Sequence, residues 1–186
     1  MIADKIVDKA DDFLHEQEKP NNSGFMSPEF EAKMKAMGWE KGEPWCASFA
    51  KLVFSLAYEG DIERLKEIES HFSKSAVLTY INFDKSDWKT QNPNGSPIMK
   101  PVVGALVVWR MGAGTSGHIG VVSKVISDTE FEAIEGNTND AGGREGVEVA
   151  VKLRKVTTAQ RMYSLNLLGF VLPKESIIIS PEEKKN

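Results

Sequence analysis

Ile2, Ile6, Ala10, Phe13 and Leu14 recur three or four residues apart, with acids and lysines between them, the period of a helix that buries one stripe. That helix is expected to end before Pro20, and Asn21-Asn22-Ser23-Gly24 reads as a loop. Ser27-Pro28-Glu29 has the order of a helix start: a capping hydroxyl, a proline in the first turn, then an acid. Phe30, Met34 and Met37 give this second helix an apolar face, and Gly38 is a natural stop. A third helix is predicted from Pro44-Trp45-Cys46 through Ala47, Phe49, Ala50, Val53, Phe54 and Ala57, ending at Gly60. Apolar residues nearly surround it, so it belongs in the core. Two more helical patterns lie around Ile62 to Phe72 and Ser75 to Phe83.

The pattern changes after Trp88. Residues Thr90 to Pro97 read as a loop, and β-branched runs follow at Val102 to Trp109, His118 to Ile126, Glu130 to Glu135, Val147 to Leu153 and Leu167 to Leu172. Turns are expected at Gly112 to Gly117 and Asn137 to Gly146. Helices first and an antiparallel meander second is an α+β order. At 186 residues the chain suits one domain, expected over residues 1–175 with 176–186 as a flexible tail.

Composition removes several classes of function. There are 23 Lys and Arg against 27 Asp and Glu, a formal charge of −4, so no basic stripe displaces the counterions of a nucleic acid. A single cysteine excludes an internal disulfide and a Cys-rich zinc site. The first residues alternate apolar and charged, unlike a secretory signal, and no run reaches the roughly 18 to 20 apolar residues of a membrane span. The expectation is a chain made in the cytoplasm without a signal peptide, with no membrane insertion and no nucleic-acid partner.

Candidate chemistry then rests on few residues. Cys46 opens the buried helix, where backbone N–H groups and the positive dipole end favour a thiolate and could stabilise an oxyanion. By position alone it reads more readily as a small core hydrophobe. His15 and His71 lie in polar helical stretches and read as surface residues. His118 follows the glycine-rich run Gly112 to Gly117 and opens an apolar strand, which would hold a base rigidly beside open space. Glu135 and Asn137 lie two apart at a strand end and can share one face. Either could orient the imidazole, and Asn137 could also serve as a turn residue. Trp45, Trp109 and Gly117 flank these positions and are the candidates for contacting substrate.

Pro44-Trp45-Cys46-Ala47-Ser48-Phe49, Gly117-His118-Ile119-Gly120-Val121-Val122 and Glu135-Gly136-Asn137-Thr138-Asn139 together resemble, in order, the three motifs of the CHAP family, the cysteine, histidine-dependent amidohydrolases/peptidases. Glu18 through Gly24 is similar to the glutamate-and-asparagine segment that precedes the family's nucleophile helix. The resemblance spans roughly residues 10 to 172 and implies a papain-like fold. It also implies hydrolysis of peptidoglycan amide bonds through a thioester, with Cys46 as nucleophile, His118 as base and Glu135 or Asn137 as its orienting partner. The implied substrate is a wall peptide or cross-bridge. The setting could be a phage lysin or an autolysin, or an injected effector, with a holin or an immunity protein as genetic partner. A papain-like module that binds without turnover is the reading from another class. Two features depart from the family: Ala105 stands where an acid is common, and Met37 to Glu43 lacks the oxygen ladder of a calcium loop. No metal and no cofactor is expected.

Overall fold

Residues 1–93, 95, 99–138 and 146–176 are described by the computed structural model of the chain, and among them five helices precede six strands. The helices are α1 (Ile2–Asp11), α2 (Pro28–Ala36), α3 (Cys46–Ala57), α4 (Ile62–His71) and α5 (Ala76–Asp84). The strands are β1 (Thr90–Gln91), β2 (Leu106–Met111), β3 (Gly117–Val125), β4 (Glu130–Thr138), β5 (Glu148–Lys155) and β6 (Leu165–Val171). They form one antiparallel sheet in the order β1-β6-β2-β3-β4-β5. This is the α+β, papain-like arrangement, with α3 packed on the sheet. No helix among the described residues is long and apolar enough to cross a membrane.

Local chemistry accounts for the helix ends. Ser27 Oγ accepts the Phe30 N–H, Asp61 accepts from Arg64 N–H and Ser75 Oγ accepts from Leu78 N–H, so α2, α4 and α5 each begin on a side-chain cap. Helix α3 has no such cap, which leaves its first N–H groups free of a side-chain acceptor. Its Phe49, Ala50, Val53, Phe54 and Ala57 are buried against α1, β3 and β4.

The sheet carries apolar side chains on both faces. Leu106, Val108, Ile119, Val121 and Ile134 join the helices in one core, while Val107, Trp109, Val122, Phe131, Ala133, Leu167 and Phe170 form a second cluster on the other face. Phe131 of β4 and Phe170 of β6 meet with ring centroids 5.6 Å apart. Two strands intervene, a span of about 14 Å at ordinary strand spacing. The sheet therefore curls strongly around its second core.

Three boundaries differ from the sequence pattern. Helix α1 ends at Asp11, and residues 16–18 run extended beside β5: the His15 N–H donates to Val149 O (3.0 Å) and the Glu18 N–H to Val147 O (2.7 Å). A φ of 71° at His15 makes the reversal that the helical spacing of Phe13 and Leu14 conceals. Thr90 and Gln91, expected in a loop, pair with β6 at Val171 and Phe170. Strand β4 continues past Glu135 to Thr138, drawing Gly136 and Asn137 into the sheet. The expected tail beyond 176, most of the turn from 137 to 146, and Asn139 lie outside the described residues.

Candidate active site

Cys46 is the first residue of α3 and is 6% exposed. It is held there by an aromatic cluster beneath the helix start, in which Trp45 packs edge-on to Phe25 (5.0 Å), Phe30 (6.1 Å) and Phe49 (6.3 Å). The Trp45 indole N–H donates to Glu18 Oε2 at 3.0 Å, so the buried carboxylate ties the segment before α2 to the start of α3.

His118, the second residue of β3, lies 7% exposed at the same point. Its Nε2 is 2.8 Å from Glu135 Oε2, and Cys46 lies close enough to the ring to raise its pKa. With Nε2 engaged by Glu135, Nδ1 is the nitrogen left for the sulfur. Gly120, two residues along β3 on the same face, explains how the carboxylate gets so close: a Cβ there would lie 2.7 Å from Glu135 Cγ. Gly136 answers the same question for the helix, since a Cβ at that position would meet Trp45 Cζ3 at 2.6 Å and Phe49 Cβ at 2.8 Å.

Glu135 is fully buried and has a second cation on it. Arg154 of β5 makes a two-pronged contact, Nε to Oε1 at 2.7 Å and an Nη to Oε2 at 2.6 Å. The same guanidinium lies 5.1 Å over the Trp109 ring, and that ring stacks on the His118 imidazole with centroids 5.9 Å apart. Burial alone would lower the His118 pKa, but the hydrogen bonds and charges of Cys46 and Glu135 outweigh it and raise it to about 10. Burial would likewise raise the Glu135 pKa, and the contacts of Arg154 and His118 instead hold it at about 2. The protonated imidazole is thus favoured by a carboxylate that a guanidinium in turn holds in its charged form.

An open cleft of about 440 Å³ lies over Cys46 and His118, walled by Asn22, Gly42, Ser75, Thr115, Gly117 and Asn137 among others. Gly117 thus lies where the sequence pattern set it, on the cleft. Trp45 and Trp109, expected to contact substrate, do not line it: Trp45 is wholly buried in the aromatic cluster, and Trp109 is spent as a backing plate for the imidazole. Asn137 borders the cleft with φ at 56°, while the carboxylate on the imidazole belongs to Glu135. His15 is exposed, and His71 bonds Ser70 at 2.6 Å and packs on Phe83, both remote from this group in their contacts.

Residues 38–137 match the CHAP domain family, more than half of the chain. The chain belongs to the CHAP family. Among curated proteins none matches it. CHAP domains form a family of peptidoglycan hydrolases, and the matched segment holds Cys46, His118, Glu135 and Asn137. Two residues that contact this group or border its cleft lie outside that segment. Arg154 was invisible to sequence reasoning because it sits among Lys152 and Lys155 in what reads as a solvated strand face. Only the pairing of β5 with β4 aligns it, on the face shared by Phe131, Ala133 and Glu135. Asn22 adopts φ of 51° in the turn after Pro20. Its side-chain NH₂, in the orientation that satisfies both groups, donates to both Glu18 oxygens, Oε1 at 2.9 Å and Oε2 at 3.2 Å. The likeness of the Glu18–Gly24 segment to the family was the available signal for it.

Proposed function

We propose that the chain is a cysteine hydrolase that cleaves an amide bond of peptidoglycan peptides through a thioester on Cys46. The observation that carries this reading is the imidazole of His118 held between Cys46 and an ionised Glu135 at the floor of an open cleft. His118 holds the thiol's proton as an imidazolium while the sulfur attacks the scissile carbonyl, forming a C–S bond and an oxyanion. The backbone N–H of Cys46 at the uncapped start of α3 is the donor available to that oxygen. Collapse of the intermediate breaks the C–N bond, and His118 passes its proton to the leaving amine. Water then enters, His118 takes one of its protons, and hydrolysis of the thioester returns the thiolate and a free carboxylate. Glu135 fixes the ring with Nδ1 towards the sulfur, and Trp109 and Arg154 fix Glu135 and the ring plane.

Digestion of purified peptidoglycan by wild type and Cys46→Ala, with products resolved by mass spectrometry, tests the reading. Fragments with new amine and carboxylate ends should appear only with wild type, and their masses identify the bond. Full activity of Cys46→Ala, or the absence of fragments from wild type, would sink the proposal.

A further inference from the structure

The helix-facing side of the sheet is apolar along β2 at Leu106 and Val108, and Arg110 is next in that alternation. Its Nε is buried without any hydrogen-bond partner, and among the described residues its guanidinium forms no ion pair. A buried guanidinium N–H is normally matched by a carboxylate or carbonyl. The Arg110 side chain borders a second cavity of about 650 Å³, also lined by Tyr80 and Ile81 of α5, by Gly112 and Ala113, and by Arg161 and Met162 from the connection before β6. Arg161 is likewise without an ion pair among the described residues. Its backbone is nevertheless fixed at the wall: buried Asn166 accepts the Arg161 N–H (2.7 Å) and donates to its carbonyl (2.8 Å). The acid facing this space is Asp84, whose carboxylate is engaged by the Thr90 hydroxyl. Two unpaired guanidiniums on a built wall are a receptor for a carboxylate.

The cavity is also placed to serve the cleft. Helix α5 and the turn 112–117 form a wall common to both: Ala76 and Thr115 to Gly117 border the Cys46 cleft, while Tyr80, Ile81, Gly112 and Ala113 border the second cavity. Tyr80 stands four positions after Ala76 on the helix, a rise of about 6 Å, so the two lining sets are neighbours along one wall.

We infer that the Arg110–Arg161 cavity is a second subsite of this cleft, taking a free carboxylate of the wall peptide whose amide lies at Cys46. The inference rests on the peptidoglycan reading above. It makes the protein selective for peptides that carry the carboxylate over those in which it is amidated. Calorimetric titration of full-length Cys46→Ala with a stem tetrapeptide, as free acid and as carboxamide, separates binding from turnover. The acid should bind at least about tenfold more tightly, as a charge-assisted guanidinium–carboxylate contact allows. Arg110→Gln and Arg161→Gln in that background should each close most of the gap, and Arg161, exposed, can be exchanged without disturbing the fold. Equal affinities for acid and amide, binding of neither, or a gap that survives both exchanges would overturn the subsite. Wild-type digestion of whole peptidoglycan, run in parallel, reports on the hydrolase reading by itself. Digestion with no preference between acid and amide removes the subsite alone, and preference without digestion removes the hydrolase alone.

Discussion

Glu135 is wholly buried yet ionised, and the reason is a single residue on the neighbouring strand. Desolvation opposes its charge, and the Arg154 contact is the largest of the effects that overcome it, followed by His118. Arg154 thereby sets the range of pH over which His118 has a charged partner. Replacing it with Met keeps an apolar stem over Trp109 but removes both hydrogen bonds to the carboxylate. The Glu135 pKa should then rise from about 2, and the acid limb of kcat/KM should move up by about 1–3 pH units, the usual effect of one opposite charge. At neutral pH, where Glu135 stays ionised through His118, the rate should fall much less than at pH 5. A pH–rate profile of Arg154→Met that superimposes on wild type would show that the guanidinium only packs.

At the scale of elements, the distance between Cys46 and His118 is set by how closely α3 lies on β4. Gly136 is the point of closest approach, with Trp45 and Phe49 occupying the space a side chain would need. Gly136→Ala should therefore force α3 away, cost about 1–3 kcal/mol in thermal or denaturant unfolding, and reduce hydrolysis by far more than that loss of stability explains. A variant with normal melting and normal rate would mean that the helix seat tolerates displacement. The same contact shows what was legible in the sequence. The helix periodicities, the capping residue Ser27, and the β-branched runs locate most of the elements because each reflects a local preference. The relation of Cys46, His118 and Glu135 was legible through three short motifs, since the glycines in two of them exist to allow close approach. Arg154 and Arg110 were not legible, because a charged residue in a strand looks solvated until strand pairing and curl decide what it faces. Trp45 was misplaced for the converse reason: adjacency to Cys46 in the chain places it on the buried side of the helix start.

For the whole molecule, the buried Glu135–Arg154–His118 group is a stability element as well as a chemical one, and its sign can be worked out. The Glu135 pKa is lowered from 4.5 to about 2 in the folded state, so the unfolded chain binds the proton more readily. The group's contribution is complete above the unfolded value, and it is lost as pH falls from 4.5 through 2. Below pH 6 His118, raised to about 10, remains protonated in the folded protein and becomes so in the unfolded chain. Its alkaline loss, which sets in above 6.5, is therefore kept out of the comparison. Glu135→Gln leaves Arg154 without its carboxylate and should destabilise the protein at pH 6 by about 2–4 kcal/mol. That is somewhat less than for a fully buried pair, because Arg154 keeps partial exposure to water. Glu31, the other carboxylate held at about 2, through Lys35 and the Phe25 N–H, is common to both proteins and cancels. Melting temperatures of wild type and Glu135→Gln measured from pH 6 to pH 2.5 should thus converge as the acid is approached, because wild type alone loses the interaction by protonation. Curves that stay parallel would mean that Glu135 takes up its proton no more reluctantly in the fold than outside it, and the ionised carboxylate beneath His118 would have to be abandoned.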